Sequence, residues 1–530
     1  MRHSKLVLAL FAPVVLSLSA RAGDWYVDAL NGSNANNGLT PGSAWKTITH
    51  ALGTIPTAPA SHTLHIAPGT YGPALGESFP LVMRPALRFV GDQGSASTIL
   101  AGAGATLLLF DSDFTSTGYT FDAASGADGL TLQNSDVGIV MGTDWNPVSP
   151  SFHDLVIQGM SGDGVTISTY GFGSHLAHPT FDHVSVLSCN RGFDVDAAGS
   201  TSSSFGTSIV DLTDCTVNNN TLEGLLISGG HGTAQANLVR CRLMSNLGDG
   251  VRLSAGTQMQ SGLMASATLI AGNQGSGVGG SGSTMAHGVY QLSDCTIANN
   301  ALNGLSPMTG SGMTQTTTLR NCILYGNSND FVGGPSGPVS TAYCDSGDGD
   351  LLGQPGCIAA DPLFVNPGNG DYRLKFGSPC VETGDPASNS ALDLVGHARP
   401  LDGNLDTIGA VDMGAIEFET MHFRGKSSIG QLVGFELWGA AGSTSIVRFS
   451  AQALTPAQST AFGNFYLAPG TFVTLGTVAA APGPPNAILR VLPNNPLLIG
   501  MTFSYQAQTS SALAPLGQAY TNPISFVVQP

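Results

Sequence analysis

Charge is what this chain has least of. Only 10% of its 530 residues are Asp, Glu, Lys or Arg, and only 18 are basic. Helical domains carry many Glu, Lys and Arg on their solvent faces, so this composition speaks against a mainly helical protein. Nucleic-acid binding needs clustered Lys and Arg. With a formal net charge of −17, neither nucleic acid nor an anionic membrane surface fits as a partner. A neutral polymer or a cation does fit. Past the N-terminus no apolar run is long enough to span a bilayer. The length itself exceeds one compact core and implies two or more domains.

What is abundant is Gly, with 70 residues, alongside Ser, Thr and Asn, which suit strands and turns. The first 22 residues read as a secretory signal. Arg2 and Lys5 are followed by the apolar run Leu6 to Leu18 and by the small-x-small pattern Ala20-Arg21-Ala22. The mature chain is therefore expected to begin at Gly23, in a secreted, extracellular or cell-surface setting that is oxidising.

The cysteines mark a repeat. Cys189, Cys215 and Cys241 are 26 apart, Cys295 and Cys322 are 27 apart, and Thr268 fills the vacant position between the two groups. Relative to this marker, an apolar residue stands at +2 (Val217, Leu243, Ile270, Ile297, Leu324) and Asn at +5 (Asn220, Asn246, Asn273, Asn300, Asn327). Gly stands at +9 (Gly224, Gly250, Gly277, Gly304) and a further apolar residue at +10. Locked columns with a period of 20 to 50 residues are the signature of a solenoid. Marker and marker+2 share one strand face, and the repeat has no 3.6-residue periodicity. Residues near 100 to 345 are thus predicted to form a right-handed parallel β-helix.

The Asn column is expected to stack at a corner, each side chain bonding the next. The Cys column is expected to be free thiols filling the core, because stacked residues have parallel Cβ vectors that suit a disulfide badly. Upstream, Leu130-Thr131-Leu132 and Asp154-Leu155-Val156-Ile157 fit the strand position. The spacing implies about eight residues inserted near Tyr170 to Pro179, and Arg191 falls in a core column and breaks register.

The flanks carry family-like motifs. Trp45 to Leu52 reads as an amphipathic helix able to cover the first coil. Trp25-Tyr26-Val27-Asp28, Asn31-Gly32-Ser33, Trp45-Lys46-Thr47-Ile48, Ala67-Pro68-Gly69-Thr70-Tyr71 and Gly76-Glu77-Ser78-Phe79-Pro80-Leu81 resemble the DUF1565 family of exported bacterial β-helix proteins, in the pectin-lyase-like superfamily. Asp361-Pro362-Leu363-Phe364, Asp371-Tyr372-Arg373-Leu374 and Asp412-Met413-Gly414-Ala415-Ile416-Glu417 resemble the segment that closes many such proteins. Residues 421 to 530, with short strand-like runs between Gly, Pro and Asn turns, predict a small antiparallel β-sandwich-like domain. They resemble C-terminal domains of exported planctomycete-type proteins. The expected organisation is a signal (1–22), an N-terminal cap with first coils (23–100), the β-helix (101–345), a closing segment (346–420) and a β-sandwich-like domain (421–530).

Candidate chemistry lies in an acidic column at +8, comprising Asp163, Glu223, Asp249, Ser276, Asn303 and Asp330. Stacked carboxylates can hold Ca²⁺ or imitate a glycosidase pair. Most of these residues directly precede Gly, however, and such pairs are ordinary turn chemistry. The N-terminal motif is also similar to that of family-nine pectate lyases, in which a coil containing Asp-Gly supplies Asp ligands and a Lys acts as base. Asp249-Gly250-Val251-Arg252 is the nearest echo here, and the repeat contains no Lys, which argues against a working lyase. Glu223, Asp249 and Arg252 are therefore the catalytic candidates. Trp145 and Tyr170 are candidates for stacking on a sugar. Asp345, Asp348 and Asp350 are a candidate calcium loop, between Cys344 and Cys357, which are expected to form a disulfide. His175, His178 and His183 with Asp182 match no strong metal spacing. Two functions follow. One is a non-catalytic exported protein that binds glycan or builds a surface. The other is a polysaccharide lyase or glycoside hydrolase acting on extracellular acidic polysaccharide.

Overall fold

The computed structural model describes residues 23–530 except 58–60, 112–119, 144–145, 171–174, 199–205, 310, 334–336, 389, 439–442, 469–470, 480–485 and 515. The expected signal, 1–22, lies outside the described residues. Among them, no helix is long and apolar enough to cross a membrane.

Residues 23 to 346 wind into a parallel β-helix. One wall is a ten-stranded parallel sheet that includes Asp163–Thr169, Arg191–Asp196, Leu225–Gly229, Val251–Ala255 and Val278–Gly282. The remaining walls form one 22-stranded sheet, in which each coil bends at a corner. Two corner positions are left-handed in coil after coil. One is filled by Asp154, His183, Asp214, Arg240, Ala267, Asp294, Asn321 and Tyr343, the other by Asn134, Ser188, Asn219, Ser245 and Asn299, with Gly159, Gly272 and Gly326 in the same column. A left-handed residue turns the strand sharply and sends the next side chain inward, which is why Asn, Asp and Gly recur there.

The residue after the first corner is the marker, and strand register revises its membership. Ser185 pairs with Thr216, and Val156 with Ser185, so the column reads Leu155, Val184, Cys215, Cys241, Thr268, Cys295, Cys322. Cys189 is not a member. It sits in the Asn column, with its backbone N–H bonded to Asn220 Oδ1 at 2.9 Å. The coil from Leu155 is thus 29 residues long and the next 31, so the extra length is shared between two coils. Each column thiol donates to the carbonyl two residues earlier, from 3.2 Å for Cys215 to 3.4 Å for Cys241, and Thr268 Oγ1 does the same to Ser266 at 2.9 Å. A small side chain with one donor satisfies the site, which explains why Thr substitutes for Cys.

All eight cysteines are free. The expected Cys344–Cys357 bridge is not formed, and the reason is the stack itself. Asp345 pairs in parallel with Ile323 and then with Ile358, so Cys344 and Cys357 extend the marker column beyond Cys322. They are rungs with parallel Cβ vectors, and Cys357 Sγ accepts the Cys344 backbone N–H at 3.4 Å.

The Asn ladder is continuous. Asn246 Oδ1 accepts both the backbone N–H and the side-chain amide of Asn220, at 3.0 and 2.9 Å. The same pair of bonds recurs from Asn246 to Asn273, from Asn273 to Asn300, and from Asn300 to Asn327. The second amide proton goes to a strand carbonyl, as from Asn273 to Leu243 at 3.1 Å. The Gly column at +9 is explained by space. A Cβ on Gly224, Gly250, Gly277 or Gly304 would stand 2.8 Å from the next coil's Asn Nδ2. Below Asn220 the ladder position holds Cys189, Met160 and Ser135 instead. There the interior is filled by Phe110, Phe152, Phe181 and Phe193, with Phe152 stacked on Phe181 at 4.7 Å.

At the N-terminal end, the helix Ile48–Thr54 buries Ile48, Ala51 and Leu52. It starts three residues later than expected, because Trp45 is extended and buried, stacked on Trp25 at 5.4 Å. Glu77 holds the helix start, accepting from the N–H groups of Ile48 and Thr49 at 2.7 and 2.8 Å.

Residues 361 to 418 lie along the outside of the β-helix rather than over its end. Phe364, Tyr372, Leu374, Met413 and Ala415 pack against Leu269, Ala298 and Ile323. Fully buried Arg399 fastens this layer, contacting Asp294 at 2.9 Å and Glu417 at 2.8 Å and donating to the Gly414 carbonyl. After Thr420, small antiparallel sheets follow. Three- and five-stranded sheets share a core that includes Phe435, Leu437, Val447, Tyr505 and Ala507.

Candidate functional site

The outer face of the ten-stranded sheet gathers the acidic candidates. Along Arg191–Asp196 the side chains alternate, with Phe193 and Val195 buried and Asp194 and Asp196 outward. Register places Asp194 beside Thr166 and Leu226, and Leu226 beside Arg252. Asp196 belongs to a polar column that runs from Ser168 through Asp196, Ser228, Ser254 and Ser281, each one coil apart, or about 4.8 Å.

Arg191 is the hub of this face. Its guanidinium lies 3.0 Å from Asp194, 3.2 Å from Glu223 and 3.6 Å from Asp163. The 26-residue spacing places Arg191 in a core column, but it stands at an outer corner, because the marker of its coil is Val184. Burial raises the Asp194 carboxyl to about 6, with Arg191 opposing and Asp163, Asp196 and Glu223 adding to the rise. Burial also raises Asp163, again against Arg191, as well as Asp196 and Asp249.

The three catalytic candidates fall into two pairs. Glu223 belongs to Arg191. Asp249 contacts Arg252 at 3.2 Å and accepts the Ser276 backbone N–H at 2.6 Å, so it braces the corner of the next coil. Tyr170 is exposed at the end of its strand, and Trp145 lies outside the described residues. Asp194, Asp196 and the hub Arg191 were missed by sequence reasoning. The alternation Arg191-Gly192-Phe193-Asp194-Val195-Asp196 held the signal, once its register was known.

The expected calcium loop is not one group. Asp345 is buried, accepting from the Ala360 N–H at 3.0 Å and from the Cys380 thiol at 3.3 Å, and burial raises it to about 6. Asp348 instead accepts the Asp330 N–H at 2.7 Å and Asp350 accepts the Phe331 N–H at 3.3 Å, while Asp330 accepts both donors of Asn327. These acids terminate the Asn ladder by bonding the last coil's open amides.

Among the described residues, two other groups bring three metal-ligating atoms within 4.8 Å of one another: His153, Asp182 and His183, and Glu382, Asp402 and Asp406. In the second, Asp402 accepts the Asp406 and Thr407 N–H groups and Glu382 accepts that of Gly403, so the carboxylates fasten their own turn. His178 does not join the first group, since it bonds Asp211 at 2.9 Å. His175 is buried elsewhere.

No curated protein matches the chain. Solved structures with a similar fold include pectate lyase Pel9A, at 15% identity and TM-score 0.42, covering 76% of this chain and 97% of that one. A second is ORF18 of Geobacillus virus E2, at 10% and 0.38, covering 56% and 58%. A third is tailspike gp49 from Acinetobacter baumannii bacteriophage Fri1, a capsular polysaccharide depolymerase, at 11% and 0.27, covering 88% and 80%. These likenesses concern the fold alone. Residues 30–258, which lie within the parallel β-helix, match the family model described as "Protein of unknown function (DUF1565)".

Proposed function

We propose that this is an exported β-helix protein that binds a neutral, hydroxyl-rich glycan along the outer face of the ten-stranded sheet, without cleaving it. One observation carries the reading: the arginines on that face are already engaged with its acids. Arg191 is shared among Asp163, Asp194 and Glu223, and Asp249 is held by Arg252 and the Ser276 amide. A lyase needs a cation available to the substrate carboxylate and a base beside it. What remains is the Asp196–Ser228–Ser254–Ser281 column, a row of acceptors and donors suited to sugar hydroxyls.

A glycoside hydrolase is the second reading. It is favoured by Asp194, a carboxyl raised to about 6 that shares Arg191 with Glu223, since unequal acids are what glycosidic cleavage uses. The test is affinity electrophoresis of residues 23–530 in gels containing dextran, arabinogalactan, polygalacturonate or alginate. Incubated polymers are assayed in parallel for new reducing ends and for unsaturated products absorbing in the ultraviolet. Retardation in a neutral-glycan gel without products is expected, with retardation lost in Asp196→Ala. Products that disappear in Asp194→Asn would establish the hydrolase instead. Absence of retardation in every gel overturns glycan binding.

A further inference from the structure

We propose that His153, Asp182 and His183 form a binding site for a divalent transition-metal ion of the zinc class, clipping two consecutive coils together on the outer side of a corner. The three residues come together through register, not through sequence spacing. His153 lies in Ser151–Gln158 and pairs directly with Asp182 of the next coil, at the end of Thr180–Asp182. His183 follows as the left-handed corner residue, φ 55°, which turns its ring outward beside Asp182. His183 Nδ1 stands 2.8 Å from Asp182 Oδ1, His153 Nε2 stands 3.7 Å from Asp182 Oδ2, and the two rings are 5.6 Å apart. One ligand atom from each residue lies within 4.8 Å of the other two. Metal–ligand bonds of about 2.0–2.2 Å need ligand atoms some 3–3.5 Å apart, so rotations of exposed side chains close the site without backbone movement.

The surroundings favour a cation there. The nearby guanidinium groups are neutralised: Arg88 is paired through two nitrogens with Asp128, and Arg240 likewise with Asp214 at 2.8 and 2.6 Å. Two imidazoles with one carboxylate are borderline-soft ligands, which select zinc, cobalt, nickel or copper over calcium or magnesium. The side chains are 55%, 48% and 61% exposed, so an ion reaches them directly and water completes its coordination. The location suits a clip. Here the preceding strand Ser151–Gln158 is shared by two short partners, Thr180–Asp182 and Ser185–Leu187, which part at His183.

The experiment is titration of tag-free residues 23–530 with Co²⁺, followed by visible absorption, then displacement by Zn²⁺. One saturable site is expected, lost or weakened at least tenfold in His153→Ala and in Asp182→Asn. It should be unchanged in His178→Ala, whose ring pairs with Asp211. Far-UV circular dichroism of the variants, with an unchanged spectrum, shows that the fold is intact. Zn²⁺ should also raise the thermal midpoint of the wild type but not that of His153→Ala. Absence of a saturable Co²⁺ site, or equal affinity in His153→Ala, overturns the proposal. Because neither variant touches the glycan-facing sheet, glycan retardation is unaffected by either result.

Discussion

Replacing Asn273 by Ala removes one rung from the middle of the ladder, and the cost can be worked from the bonds it makes. Asn273 Oδ1 accepts the Asn246 backbone N–H at 3.0 Å and the Asn246 amide at 2.9 Å. Its own amide donates to the Leu243 carbonyl at 3.1 Å and to Asn300 Oδ1 at 2.9 Å. Four bonds are therefore lost in a site with no solvent exposure. At about 1 kcal/mol net for each, the loss is about 4 kcal/mol, and the stranded Asn246 N–H keeps it from being smaller. Asn273→Leu should be no better, since filling the space leaves the same donors unpaired. Asn327 makes an equivalent set of bonds, but at the partly exposed end of the ladder where water can replace them. Asn327→Ala should cost about 1–2 kcal/mol. Urea unfolding followed by far-UV circular dichroism, at unchanged denaturant slope, measures both. A cost under about 1 kcal/mol for Asn273→Ala, or one no larger than that of Asn327→Ala, would refute the four-bond account of the rung.

Two further outcomes follow from displaced titrations. Asp194, raised to about 6 by burial, holds its proton more tightly when folded than when unfolded. Its contribution to stability is thus complete below about pH 4 and lost as pH rises through 6. The stability difference between Asp194→Asn and wild type should therefore shift in the variant's favour by about 2 kcal/mol from pH 4 to pH 7.5, and a difference that stays flat across that range contradicts the assignment. Cys357 is half-buried, and the Cys344 thiol and N–H draw its pKa down to about 6. At pH 7 iodoacetamide should modify Cys357 first, with a rate midpoint near 6 and the seven buried thiols inert until denaturant is added. Peptide mass spectrometry reads this out, and labelling spread evenly over the cysteines would contradict it.

The solenoid was legible because stacking imposes sequence columns. A corner that must satisfy its own buried amides selects Asn in five successive coils, and that Asn in turn excludes any Cβ at the facing Gly, so two columns declare themselves together. Register across an irregular coil was not legible. Cys189 shares a residue type and a 26-residue interval with the marker column, yet belongs one corner later. Only hydrogen-bond pairing separates the two, since Thr and Val also serve as markers. That error hid Arg191, placed by sequence in the core and found at the centre of the acidic face. Cys344 and Cys357 were hidden for another reason: the last coils are shorter than the 26-residue period, so these two rungs fall off the sequence column. His153 and Asp182 are 29 positions apart in the chain, and no local spacing relates them; a coil of irregular length brings them side by side. Side-chain alternation and periodic columns are local properties, so the sequence determined the β-helix and its interior. Which outward residues meet depends on the length of each coil, and that was decided only when the coils stacked.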